Sequence, residues 1–115
     1  MEGYTIWRVS CYHFDYDEVR HEMKPVSDFR MFHGVEIANK VYDEFINNMN
    51  SCYQKMYGFL VILESKTIPV EGSYELYLDD GWWHNKHYFH ESEDAYIQNK
   101  WEIMMSELLP QSYGV

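Results

Sequence analysis

Five consecutive apolar residues, Phe59 to Leu63, constrain the fold of this chain more than any other segment. Gly58 stands immediately before the run, and polar residues follow it from Glu64. A short, continuous apolar run with such boundaries is typical of a strand in the centre of a sheet. The sequence therefore predicts a central strand over Phe59 to Ser65, and its neighbours must supply the rest of the sheet.

The segment before this strand predicts a long helix, Val35 to Tyr57. Its apolar residues recur at spacings of three and four, which places them on one stripe of a helix: Ala38, Val41, Phe45, Met49, Cys52 and Met56. Gly58 suits the left-handed position that follows many helix C-termini. Asn47, Asn48 and Asn50 are poor helix formers, so a kink or an early end is expected near them.

The first third of the chain predicts one strand and one long connection. Tyr4 to Phe14 is rich in β-branched and aromatic residues on both alternating faces, which predicts an interior strand or one covered by a helix. Asp15 to Gly34 contains Pro25 and is charged and irregular, with a short helical turn expected around Asp17 to Met23. Connections of this length are unusual in small domains and often carry function.

The last third predicts a β-hairpin and a final helix. Ser73 to Leu78 and Trp82 to His90 have strand patterns. Between them, Asp79-Asp80-Gly81 supplies residues that tolerate the positive φ of a tight turn. Ser92 is a suitable N-cap for the helix, which ends before Pro110 and has a regular apolar stripe: Ile97, Trp101, Met104 and Leu108.

These elements follow the order β-α-β-β-β-α. They predict an α+β fold, a single two-layer domain over residues 1–115, with two helices on one face of four mainly antiparallel strands. The length of 115 residues suits one domain and leaves no room for a second.

The charge of the chain restricts its partners. With 19 Asp and Glu against 9 Lys and Arg, the formal net charge is −10. Direct binding of nucleic acid needs basic side chains that neutralise phosphates, and an anionic membrane surface repels a chain of this charge. The charge favours a basic protein surface instead, such as the groove of a nucleic-acid-binding protein.

Cysteine content and hydropathy indicate the compartment. Cys11 and Cys52 are too few for a disulfide framework and do not form a Cys-x-x-Cys motif, so two free thiols are expected. The longest apolar run is far shorter than the ~20 residues that span a bilayer. No secretory leader pattern is recognisable at Met1. We therefore expect a cytoplasmic protein.

Motifs for catalysis and metal binding are missing from the sequence. It has neither a Gly-x-Ser-x-Gly nucleophile motif nor a glycine-rich phosphate loop. On a regular strand His84 and His90 share a face but lie roughly 20 Å apart, and His87 points to the other face. These histidines are therefore predicted not to share a metal ion, and no cofactor is expected.

Acidic and aromatic residues are the remaining functional candidates. Trp82 and Trp83 must point to opposite faces of their strand, so one ring is expected to face outward. Exposed aromatic rings flanked by charge are typical of protein-binding surfaces. The expected partner-binding residues are Asp15, Asp17, Glu18, Glu22, Asp79, Asp80, Trp82, Trp83, Glu91, Glu93 and Asp94.

Two functional hypotheses follow. The first is a non-catalytic binding protein for a basic macromolecular partner. In its most specific form, this protein is a nucleic-acid mimic. In composition the chain resembles small acidic viral inhibitors of phage-accessory type, including anti-restriction and anti-CRISPR proteins. The second is a small metal-dependent or His/Asp-dependent enzyme, or a ligand-binding protein, whose candidate residues are His13, His33, His84, His87, Asp15, Asp17 and Asp79.

Overall fold

A four-stranded antiparallel sheet is the centre of the structure, a computed structural model that describes residues 3–68 and 81–109. The spatial order of the strands is β2-β1-β3-β4, so β1 and β3 are interior. In chain order the elements are β1 (Tyr4–Asp17), β2 (Glu22–Phe32), α1 (Val35–Asn50), a 3₁₀ helix (Tyr53–Tyr57), β3 (Phe59–Ile68), β4 (Trp83–His90) and α2 (Ala95–Leu108).

One face of the sheet packs on α1. Odd-numbered residues of β1 and β3 point to this face, and Ala38 and Tyr42 of α1 are buried against them. The strand residues of this first core are Val9, Cys11, Phe59, Val61 and Leu63. The apolar stripe of the helix therefore covers the middle of the sheet, as the helical spacing predicts.

The opposite face packs on α2. Even-numbered residues point to this side, and Ile97 and Trp101 of α2 close a second core. Its buried strand residues are Phe14, Leu60 and Ile62. The two helices thus lie on different faces of the sheet and form three layers. The predicted α+β class, four antiparallel strands and two helices are confirmed, but the placement of both helices on one face is wrong.

The expected irregular connection after β1 is also wrong over most of its length. Glu22–Phe32 is a strand that pairs with β1 from Asp17↔Glu22 to Trp7↔Phe32. Pro25 is tolerated because β2 lies at the outer side of β1, where one row of backbone groups needs no partner. The predicted strand Ser73 to Leu78 of the order β-α-β-β-β-α lies outside the described residues.

Helix ends differ from the sequence prediction by a few residues. α1 ends at Asn50, among the asparagines, and the chain continues as the 3₁₀ helix. α2 takes Asp94, not Ser92, as its N-cap, and the Asp94 carboxylate accepts a hydrogen bond from the amide of Ile97 at 3.1 Å. Of the helices in the described ranges, none is long and apolar enough to span a lipid bilayer.

Trp101 joins the second core to the end of the 3₁₀ helix. Its ring is fully buried and makes edge contacts with Phe14 and Phe89, at centroid distances of 5.2 and 5.3 Å. Its indole N–H donates to the Tyr57 carbonyl oxygen at 2.8 Å. This geometry brings the backbone of Gly58 close to the indole nitrogen.

We expect Gly58→Ala to lower the free energy of unfolding by about 2 kcal/mol or more. Gly58 has φ of 86°, and an added Cβ would lie 2.6 Å from Trp101 Nε1 and 2.9 Å from the His90 carbonyl oxygen. Gly34→Ala is the control, because its Cβ would meet only Ile37, at 3.7 Å, and should cost less than about 1 kcal/mol. Urea unfolding of both variants measures the difference, and equal losses would contradict this account.

The two cysteines are free thiols in different environments. Cys11 is buried in the first core, and burial raises the pKa of its thiol to about 11, with a smaller contribution from the Asp28 carboxylate. Because the thiolate is the reactive form, we expect Cys11 in the native Cys52→Ser variant to resist a thiol reagent at pH 8. Urea should make the Cys11 thiol accessible to the reagent. Rapid labelling of Cys11 without urea would contradict its burial in the core.

Candidate functional site

Strand direction brings two distant acidic segments to one end of the sheet. β1 and β4 are both antiparallel to β3, so they run in the same direction and their carboxyl ends lie at the same end of the sheet. His13 and His90 both pair with Phe59, the first residue of β3. The tip of the β1–β2 hairpin (residues 15–22) and the chain beyond β4 (residues 91–94) therefore each supply a group of carboxylates to this end of the sheet, here called the acidic end: Asp15, Asp17, Glu18, Glu22, Glu91, Glu93 and Asp94.

The tip of the β1–β2 hairpin is held by its own side chains. One carboxylate oxygen of Asp17 accepts hydrogen bonds from the amides of Val19 and Arg20, at 2.9 and 3.1 Å. His21 completes the turn with φ of 54°, and its Nδ1 lies 3.2 Å from the Tyr16 hydroxyl. Asp17 thus has a structural role, whereas Glu18 is an exposed residue of the turn.

The 3₁₀ helix links the hairpin to the start of α2. Its Gln54 side chain donates a hydrogen bond to the Asp15 carboxylate. Its Met56 carbonyl oxygen accepts from the amide of Glu93 at 2.8 Å and from the Ser92 hydroxyl at 3.3 Å. Three segments that are far apart in sequence are therefore fixed to each other at the acidic end, and the carboxylates are presented on a defined scaffold.

Basic side chains are fewer at the acidic end than carboxylates. Against the seven carboxylates stand Arg20, Lys24 and Lys55, all exposed, and Lys100, whose ammonium lies 5.0 Å from the centroid of the Tyr96 ring. Within the described part of the chain, the only ion pair at this end joins Arg20 to Glu22 at 4.0 Å, a distance that contributes little on an exposed surface. The negative charge of the end is therefore not neutralised internally.

Apolar and aromatic side chains are exposed among these carboxylates. The exposed fraction is 53% for Tyr16 and 90% for Val19 on the hairpin, 77% for Tyr53 on the 3₁₀ helix and 66% for Tyr96 on α2. Sequence reasoning missed this set. Tyr53 and Tyr96 do fall off the apolar stripes of their segments, which is the signal that could have identified them.

The two tryptophans lie at the other end of the sheet. Trp83 pairs with Ser65 near the end of β3 and is 74% exposed, whereas Trp82 is half-buried. The Arg8 guanidinium stacks on the Trp82 ring at 4.2 Å and also binds the Glu64 carboxylate at 2.8 Å. The expectation that one ring faces outward is confirmed. The structure does not bring either ring to the acidic end, and Asp79 and Asp80 lie outside the described residues.

A β-bulge changes the predicted geometry of the strand histidines. The register shifts between Leu63 and Glu64, so His84 and His87 lie on one face, with Nε2 of the former 3.0 Å from Nδ1 of the latter. The expectation that His87 points away from His84 is therefore wrong. A bulge inserts one extra residue into a strand, and the pattern of residue types does not show where this happens. Sequence reasoning therefore had no signal for this contact.

The environment of the histidine pair favours the neutral imidazoles. Burial lowers the pKa of both side chains. At His87 the neighbouring His84 lowers the pKa further, whereas at His84 the Glu64 carboxylate acts in the opposite direction. In residues 3–68 and 81–109, no group of three or more His, Cys, Asp or Glu side chains is placed to hold a metal ion.

The candidate catalytic residues do not converge in the described structure. His13 lies on the face of α1, where its Nδ1 is buried and has no hydrogen-bond partner in the described part, and the histidine pair lies on the face of α2. His33 follows β2 at the end opposite to the acidic end. A groove of about 230 Å³ between β2 and α2 has only Tyr12 and Glu107 as ionisable groups among its described lining residues.

Comparison with protein-family models, with curated proteins and with solved structures finds no match for this chain. The geometry of its own residues is therefore the basis for the functional argument.

Replacing Asp17 separates its structural role from its charge. We expect Asp17→Ala to lower the free energy of unfolding by about 1 kcal/mol, because two backbone amides lose their acceptor. Asp17→Asn keeps an acceptor oxygen and should change that free energy by less than about 0.5 kcal/mol. Urea unfolding tests both variants. An equal loss in the two would mean that the charge, and not the turn, is what Asp17 contributes.

Proposed function

We propose that this chain is a non-catalytic binding protein whose acidic end engages a basic protein surface. The observation that carries the proposal is the convergence of two acidic segments, which are distant in sequence, on one end of the sheet. The Gln54 side chain donates a hydrogen bond to Asp15, and the Met56 carbonyl oxygen accepts one from the amide of Glu93, so both segments are held in place. A preorganised set of charges binds with a smaller entropic cost than a flexible tail.

Electrostatics supports a cationic partner. The net charge of −10 gives the whole chain a negative field, and the acidic end adds a local excess of carboxylates over basic groups. Such a field steers a positively charged surface into contact and repels wrong partners of its own sign. A positively charged groove that binds nucleic acid is the surface of this kind that we propose as the target, which makes the chain an inhibitor or nucleic-acid mimic of the anti-restriction or anti-CRISPR type.

The exposed rings supply the apolar part of the proposed interface. Tyr53 and Tyr96 present large areas to solvent between the carboxylates, and Val19 extends from the hairpin tip. Tyrosine buries much surface and loses little side-chain entropy on binding, so it is common where binding energy is concentrated. The two free thiols fit a reducing compartment, and we place the protein in the cytoplasm on that ground.

The test compares two variants that lose the same number of charges. Glu18→Gln/Glu91→Gln/Glu93→Gln removes exposed carboxylates of the acidic end, and Glu36→Gln/Asp43→Asn/Glu44→Gln removes three from α1. A basic partner is captured from the host on the immobilised chain, purified, and titrated with both variants. We expect the first variant to bind about tenfold more weakly, a difference of about 1.4 kcal/mol, and the second to bind like the unmodified chain.

Salt and competition give independent readouts of the same proposal. Raising the salt concentration should weaken the complex, because charges further apart than a Debye length of about 8 to 10 Å are screened. Duplex DNA should compete for the partner if its groove is the target. The proposal would be refuted by an acidic partner, by an affinity that does not change with salt concentration, or by equal losses of affinity in the two variants.

A further inference from the structure

The outer strand β2 exposes a row of alternating charges. Within the described ranges no strand pairs with the side of β2 that faces away from β1. On the face of α1, its side chains are in order acidic, basic, apolar, acidic and basic: Glu22, Lys24, Val26, Asp28 and Arg30. Only Val26 of these is half-buried, and the other four are exposed.

The order of charges along β2 is complementary to the same order read in the opposite direction. If two copies of β2 pair antiparallel around Val26, Lys24 faces Asp28 of the second copy, and Glu22 faces Arg30 of the second copy. The two-fold symmetry repeats both contacts, so four opposite-charge pairs flank a central contact between the two valines. Opposite charges directly across a strand pair are stabilising.

Other registers of the same strand pair are less favourable. Residues that face each other must lie on the same face of the sheet, so the two-fold axis must pass midway between the two copies of one residue. An axis at Lys24 or at Asp28 puts that charge opposite its own copy. An axis at Pro25 puts Glu22 opposite Asp28, and an axis at Ser27 puts Lys24 opposite Arg30. An axis at Met23 or at Phe29 avoids like charges but forms two opposite-charge contacts, half the number that the axis at Val26 forms.

The other face of β2 fits the same register. There Phe29 is 57% exposed, although it is a large apolar side chain, and Met23 is half-buried. Pairing around Val26 places Phe29 of each copy opposite Met23 of the other. The apolar face is therefore compatible with the register that forms the most opposite-charge contacts.

Apart from Glu22, which lies 4.0 Å from Arg20, the charges of β2 have no ion-pair partner in the described structure. Lys24 pairs in register with Asp15, but that carboxylate accepts from Gln54, and no described acidic group lies within ion-pair distance of Lys24. Asp28 faces the buried Cys11 across the strand and has no described basic partner. Arg30 lies over the ring of Phe45, at 5.7 Å from its centroid, and has no described acidic partner.

We propose that two copies of this chain associate through β2, antiparallel around Val26. Pro25 has no N–H, and on an outer strand its nitrogen points away from the sheet, so its ring lies where the Ser27 carbonyl oxygen of the second copy would approach. The backbones therefore separate at the two Pro25–Ser27 pairs, and the contacts that hold the copies together are the charged side-chain pairs and the apolar contacts of Met23 with Phe29. The dimer is accordingly reversible and depends on protein concentration.

Charge reversal with rescue tests this register. Lys24→Asp would place a carboxylate opposite Asp28 of the second copy, and Asp28→Lys would place an ammonium opposite Lys24, so each variant alone should be monomeric by sedimentation. An equimolar mixture restores both opposite-charge contacts and should form heterodimers. Lys40→Asp and Asp43→Lys, which make the same changes on the exposed face of α1, should dimerise like the unmodified chain.

The proposal has clear contradicting outcomes. It fails if the unmodified chain stays monomeric up to about 1 mM, a concentration at which even a weak specific complex is populated. It also fails if the single reversals dimerise normally or if their mixture shows no heterodimer. Far-UV circular dichroism confirms that the variants are folded. Sedimentation measures the association of the chain with itself and needs no other partner, so the result does not depend on the function proposed above.

Discussion

The packing of β3 between two cores is the constraint on which the rest of the structure depends. Phe59, Val61 and Leu63 enter the core under α1, and Leu60 and Ile62 enter the core under α2. A strand that is apolar at every position can be buried only if both faces of its sheet are covered. One helix cannot cover both faces, so the two amphipathic helices lie on opposite sides and the domain has three layers.

This arrangement limits where a partner can bind. Both faces of the central strands are occupied by helices, so a partner can reach the sheet only at its ends and its outer strands. Strand direction then decides which residues meet. Because β1 and β4 run the same way, their carboxyl ends bring Asp15 and Glu91 to one end, and Trp83 at the start of β4 lies at the other.

Local patterns predicted the elements whose buried positions follow a regular helical or strand pattern, and they failed where burial is irregular or depends on a distant segment. The stripe of α1 and the run of β3 indicated both elements, because packing there agrees with local periodicity. β2 alternates charges on one face and contains Pro25, so it resembled a loop until its pairing with β1 was known. Neither the bulge beside His84 nor the face that each helix covers has a local signature, because both depend on contacts between distant segments.

The two proposed surfaces are compatible because of the direction in which β2 would pair. A two-fold axis at Val26 sends the hairpin tips of the two copies to opposite ends of the paired strands. The two Glu22 side chains are then separated by about eight residues of strand, roughly 26 Å at ~3.3 Å per residue. This distance exceeds the Debye length of about 8 Å at physiological salt, so the acidic ends barely repel each other. A dimer of this kind presents two anionic ends that point in opposite directions, each free to meet its own basic partner.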